Sequence, residues 1–165
     1  MKGRIVMKYY MRSKIFKLKE DFWITNEYKE KVFFVDTKLL TLGLRFDLIK
    51  DDNIIYSVKE NLLAFLGKYE IIESGKVIGH VSRKLTFVKD KLKVDSKYGE
   101  LLIKGDILDY NYKIYKDGKE IATIIKEFFS ITDNYYIDID FEDEAFILAL
   151  VVIVDDVIDK QRNRN

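Results

Sequence analysis

Ten consecutive apolar residues, Ala145 to Val154 (AFILALVVIV), stand near the end of this 165-residue chain. The run shows no period-two alternation, so as a helix it is hydrophobic on every side, and such a helix has to be enclosed. Spanning a bilayer takes about 20 apolar residues, whereas a run of about 10–14 suits a buried core helix. Glu142, Asp143 and Glu144 precede it, and Asp155 and Asp156 follow. Acids at a helix start agree with the macrodipole; acids at its end oppose it and call for basic partners at the rim of whatever surrounds the helix. The expected helix covers about 143–160, with Phe146, Ile147, Leu148, Leu150, Val151, Ile153 and Val154 as its core positions.

The rest of the chain must supply the enclosure, and it reads as strands. An aromatic residue or Leu opens a short alternating stretch at Phe22, Phe46, Tyr69, Leu92, Tyr112 and Tyr135. The clearest pair of units begins at Tyr69 (YEIIESGKVIGHVSRK) and Tyr112 (YKIYKDGKEIATIIKE). In each, a turn dipeptide, Ser74-Gly75 or Asp117-Gly118, separates two β-rich runs, the usual hairpin signal. Asp51, Asp52 and Asn53 do the same further up the chain. Tyr112, Ile114 and Lys116 fall on one strand face and Lys113 and Tyr115 on the other. Proline is absent, which suits long paired strands because each proline removes a ladder donor. Two strands per unit give about ten to twelve. Gathered around one apolar helix, they make a closed antiparallel β-barrel with a filled lumen and no free edges. The fold class expected is mainly β (α+β), in one domain over 1–165, with strands over about 8–140. Leu62 to Leu66 fits either a helical turn or a loop, and Trp23 reads as barrel core or rim.

Several function classes drop out. Without cysteine there are no disulfides, thiolate metal sites or cysteine nucleophiles, and one histidine leaves no imidazole cluster. His80, in the return strand of a hairpin, has no Ser-His-Asp, H-E-x-x-H, P-loop or G-x-G-x-x-G companion and reads as structural. No enzyme activity and no cofactor is expected. A net charge of +1 argues against a bulk polyanion binder, so nucleic acid is not an expected partner. The N-terminus has no apolar core of a secretory signal, which points to a reducing, cytoplasmic setting.

Four segments carry a family resemblance: MKYYMRSKIF (Met7 to Phe16), KYEI (Lys68 to Ile71), YKIYKDGKEIATIIKEFFSITDNYYIDI (Tyr112 to Ile139) and EDEAFILALVVIVDDV (Glu142 to Val157). In these the chain resembles the LURP-one-related family, small bacterial and plant proteins that share the tubby-like fold with tubby C-terminal domains and phospholipid scramblases. The resemblance implies a twelve-stranded barrel around a C-terminal helix. It also implies a ligand class, anionic phospholipid or phosphoinositide, without implying which residues bind it. A structural or protein-interaction domain without a small ligand, and a scramblase-like membrane activity, are the alternatives it leaves open.

Candidate sites follow from charge. Lys14, Lys17 and Lys19 lie in a basic stretch interleaved with Ile15 and Phe16, and Arg83, Lys84, Lys89, Lys91 and Lys93 form a second. Such stretches suit an anionic lipid surface at about 1 kcal/mol per charge, and equally a solvated strand face. Lys89, Lys91 and Lys93 share one face if the segment is a strand. These eight residues are the expected head-group contacts of a protein peripheral to the membrane. Asp138, Asp140 and Glu142, spaced two apart, are the calcium candidate, although no EF-hand loop surrounds them.

Overall fold

The computed structural model describes residues 5–12, 21–38, 41–63, 68–84, 91–127 and 134–163, with backbone only for Arg83 and Lys84. The strands are β1 Met7–Arg12, β2 Phe22–Asn26, β3 Lys31–Thr37, β4 Arg45–Lys50, β5 Asn53–Asn61 and β6 Lys68–Glu73. They continue as β7 Lys76–Lys84, β8 Lys91–Ser96, β9 Gly99–Asp106, β10 Asn111–Lys116, β11 Lys119–Glu127 and β12 Asn134–Ile139. A 3-10 turn, Ile107–Asp109, joins β9 to β10, and helix α1 covers Glu144–Arg162. Each strand pairs antiparallel with its sequence neighbours, and β1 closes the ring against β12, Met7 opposite Ile139. This is the twelve-stranded filled barrel expected above.

Strand alternation puts one apolar residue in two on the lumen side. Phe46, Tyr69, Leu92, Tyr112 and Tyr135, five of the six repeat-opening residues, are all buried. Each stands at or next to the start of an even-numbered strand, so the sequence repeat is a belt of large side chains at one end of the lumen. Inside it, Phe146 to Val151, Ile153 and Val154 of α1 are fully buried except where Val152 reaches the surface slightly. Truncating such a side chain costs about 2–5 kcal/mol, so these positions dominate the core.

The two ends of the barrel are built differently. At the end where even strands finish, two-residue turns occupy 51–52, 74–75, 97–98 and 117–118. Asp51 and Asp52 (φ 50 and 60), Ser74 and Gly75 (48 and 79), and Asp117 and Gly118 (51 and 75) take positive φ at both central positions, the hairpin turn that matches strand twist. We call this the hairpin end. Register shifts near it insert one extra residue in β3, β5, β7 and β11, namely Val32, Ile55, Ile78 and Ile121. A bulge re-aims side chains, and all four pack inward against the core beside an already inward neighbour. The opposite, loop end carries the longer connections 38–44, 62–67 and 107–110, together with 13–21, 85–90 and 128–133.

Some expectations change. Leu62 and Leu63 are in a turn, and 64–67 lie outside the described residues. Trp23 is on the outer face, 44% exposed, against Phe34 at 4.9 Å with Lys31 over its ring. No helix among the described residues is long and apolar enough to cross a membrane.

Candidate functional site

Polar groups inside the barrel gather at the two ends of α1. At the hairpin end Asp143 caps the helix, accepting the Phe146 N–H at 2.9 Å, and also accepts the hydroxyls of Tyr56 and, at 2.5 Å, Tyr98. Tyr9 donates to Glu144 at 2.7 Å. At the loop end Tyr135 donates to Asp155 at 2.5 Å and Tyr69 to Asp156 at 2.8 Å. Burial, followed by the neighbouring carboxylates, holds the Tyr9, Tyr56 and Tyr135 hydroxyls above their ordinary range, so they stay protonated donors. These contacts position the helix. The basic partner of Asp156 is Lys160 at 2.6 Å, one turn on in the same helix rather than on the barrel rim, and it also reaches Glu60 at 2.5 Å. Lys126, 4% exposed, points inward with its ammonium 3.8 Å from the Tyr110 ring centre.

The outer face is where unspent charge lies. Lys104 in β9 stands directly opposite Lys113 in β10, and Leu92 opposite Ile103 puts Lys91 level with Lys104. Three lysines on three adjacent strands thus form one row. Like charges facing each other across strands are unfavourable, so the row stores repulsion that an anion relieves. Lys113 is partly neutralised by Glu120 at 2.7 Å, and Lys104 sits over the Tyr115 ring at 4.5 Å. Among the described residues no carboxylate pairs with Lys91 or Lys104. All three line a groove of about 400 Å³ with Gly105, Asn111 and Tyr115. Gly105, at φ +139, lets β9 and β10 press together there: a Cβ would stand 2.8 Å from the Asn111 carbonyl and 2.9 Å from the Tyr112 Cα. Asp106 is the acidic member of the lining. A second cavity, about 560 Å³ at the hairpin end, mixes Lys116 and Lys119 with Asp117, Asp140 and Glu142 and has no single sign.

Of the expected head-group residues, Lys14, Lys17, Lys19 and Lys89 lie outside the described residues, and Arg83 and Lys84 end β7. Lys91 and Lys93 are on the outer face of β8, as alternation requires. Lys93 is engaged by Glu100 at 3.0 Å and Asp95 at 3.7 Å, its ammonium raised in pKa mainly by the Glu100 hydrogen bond. The strands flanking the two basic stretches, β1–β2 and β7–β8, are six places apart around the ring. What the fold joins instead is Lys91 with Lys104 and Lys113, which sequence spacing separates. As for the calcium candidate Asp138, Asp140 and Glu142, among the described residues no three Asp, Glu or His side chains come together as metal ligands. The strand ends at Ile139 and the chain bends at 141–142, so Glu142 leaves the line of Asp138 and Asp140.

A closed antiparallel barrel plugged by its own C-terminal helix is a definite class of architecture, and known proteins share it. The crystal structure of the Arabidopsis thaliana protein AT5G01750 superposes with a TM-score of 0.69 at 20% identity, over 93% of this chain and 92% of that one. The LURP-one-related family model matches residues 7–155, and the chain belongs to that family. It is 26% identical to the uncharacterized protein YxjI of Bacillus subtilis (strain 168), over 93% of this chain and 94% of that protein. Neither the family description nor the relative's name carries an enzymatic activity.

Proposed function

We propose that this protein is a non-enzymatic module that binds anionic phospholipid head groups, phosphoinositides included, on its outer face. The row Lys91, Lys104 and Lys113 is its principal contact. The observation that carries the reading is the row itself: three lysines in register on adjacent strands line one groove, and among the described residues two of them have no carboxylate partner. At about 1 kcal/mol per charge near an anionic surface, Lys91 and Lys104 supply roughly 2 kcal/mol. The setting proposed is cytoplasmic and peripheral to the membrane. The enclosed α1 supports this binding role rather than a scramblase-like one, because its apolar surface is already spent inside the barrel.

Sedimentation with vesicles tests it. Anionic vesicles carry the protein down at low salt and neutral phosphatidylcholine vesicles do not, and Lys91→Gln with Lys104→Gln weakens the anionic partition about tenfold. Equal sedimentation with both vesicle types at low salt ends the proposal and favours a protein-interaction domain.

A further inference from the structure

The loop end carries an apolar feature that the lysine row does not explain. Leu42, Leu62 and Leu63 are 89%, 51% and 98% exposed. They come from two neighbouring connections, β3–β4 and β5–β6, and they are close together. A Cβ on Gly43 would stand 3.1 Å from the Leu62 side chain and 2.6 Å from Glu60 Oε2. Isolated exposed leucines are ordinary; a contiguous set is not.

Their base is fixed from beneath. Glu60, 7% exposed, accepts the Leu44 N–H at 2.8 Å through its side chain and donates its own N–H to the Leu44 carbonyl at 2.8 Å. Lys160 of α1 reaches the same carboxylate at 2.5 Å. The leucines therefore project from a platform tied to the end of the central helix. Below them Arg45 faces Lys59 across β4–β5, both exposed, and Lys68 opens β6. Among the described residues none of these three has an ion-pair partner. The hairpin end also exposes apolar side chains, Ile54 at 58% and Val77 at 47%, but in mixed charge: Asp51, Asp52 and Glu73 stand with Lys50, Lys76 and Lys97, the last paired with Glu73 at 3.0 Å. Mixed charge at that end, against Arg45, Lys59 and Lys68 at this one, separates the two: leucines above cations match an anionic bilayer, with apolar tips below the head groups and cations among them.

We infer that the loop end is the membrane-facing end of the barrel, with Leu42, Leu62 and Leu63 inserted into the acyl boundary of an anionic bilayer. This rests on the lipid-surface reading above and adds an orientation and an apolar anchor to it. The lysine groove fits the same pose, because Lys91, Gly105 and Asn111 lie at the loop-end termini of β8, β9 and β10.

Tryptophan quenching tests the pose. Trp23 is the single tryptophan, so Trp23→Phe provides a dark background. Adding Leu63→Trp places an indole at the proposed anchor, and adding Ile54→Trp instead places one at the hairpin end. With phosphatidylcholine–phosphatidylserine vesicles brominated on the acyl chains, the indole at position 63 shifts blue and is quenched, and the one at position 54 is not. Independently, Leu42→Ser with Leu63→Ser in the otherwise native chain lowers partition by about tenfold or more. Both sites are solvent-exposed, so folding is retained. Sedimentation without quenching at position 63, or with quenching at position 54, overturns the orientation while head-group binding stands. No sedimentation of the native chain overturns both readings; unchanged partition of the double serine variant overturns the anchor alone.

Discussion

The hairpin end and the loop end of the barrel solve the same problem, closing a lumen over a helix terminus, with opposite electrostatics. At the hairpin end the acids agree with the helix: Asp143 and Glu144 sit at the positive end of the dipole and collect three tyrosine hydroxyls. At the loop end Asp155, Asp156 and Asp159 sit where the dipole is negative, and stability depends on nearby cations. Lys126 comes from β11, and Lys160 and Arg162 from the last turn of the helix. Arg162 also donates to the Leu108 carbonyl at 3.0 Å, tying the β9–β10 turn to the helix. One end needs only hydroxyl and N–H donors beside its acids; the other needs counter-charges as well. The unspent cations and exposed leucines are on the compensated end.

Substitutions at the two ends should separate these regimes. The largest effect is expected at Lys126. Lys126→Met removes the buried cation whose charge offsets that of Asp159 and should cost about 3 kcal/mol in urea unfolding at neutral pH. The loss should shrink in acid, as Asp159 becomes protonated.

At the hairpin end Asp143→Ala removes a helix cap and the acceptor of two tyrosine hydroxyls. Urea unfolding should show a loss of roughly 2–3 kcal/mol. A larger loss here than at Lys126 would reverse the contrast between the ends.

The smallest effect has the opposite sign. Burial, then the charges of Asp155 and Asp156, push the Asp159 carboxyl up to about 6, against partial relief from Lys126 and Arg162. A raised acid binds its proton more tightly folded than unfolded. Its ionisation therefore costs nothing below its ordinary value of 3.8, costs progressively more as pH rises toward about 6, and costs its full amount above. Asp159→Asn should thus stabilise by about 1 kcal/mol at neutral pH, after allowing for solvent screening, and lose that gain in acid. Thermal unfolding at both pH values checks the sign.

The same division governs how much of the molecule the chain reveals when read in order. An all-round apolar helix, the turn dipeptides 74–75 and 117–118 and the belt of repeat-opening residues are local patterns, and each leads to its element. The bulges were written as consecutive apolar residues, Ile54-Ile55-Tyr56 and Ile121-Ala122, but period-two alternation hides them. Asp155 and Asp156 stood out as acids at the wrong helix end, and only tertiary contacts reveal Tyr135 and Tyr69 as their donors. The lysine row was the least legible. Lys104 and Lys113 stand in no basic run, and they join Lys91 only through the β8–β9–β10 register. The runs that do stand out in sequence flank strands on opposite sides of the ring.

The central claim is that this barrel, filled by α1, acts through its outer face. The most direct test is amide chemical-shift mapping of the labelled protein titrated with a short-chain, monomeric anionic phospholipid. Shifts should concentrate at Lys91, Lys104, Gly105, Asn111 and Lys113, while Leu148 to Ile153 stay unmoved. Shifts centred on those helix residues, or on their lumen-facing neighbours such as Ile103 and Ile114, would contradict the account.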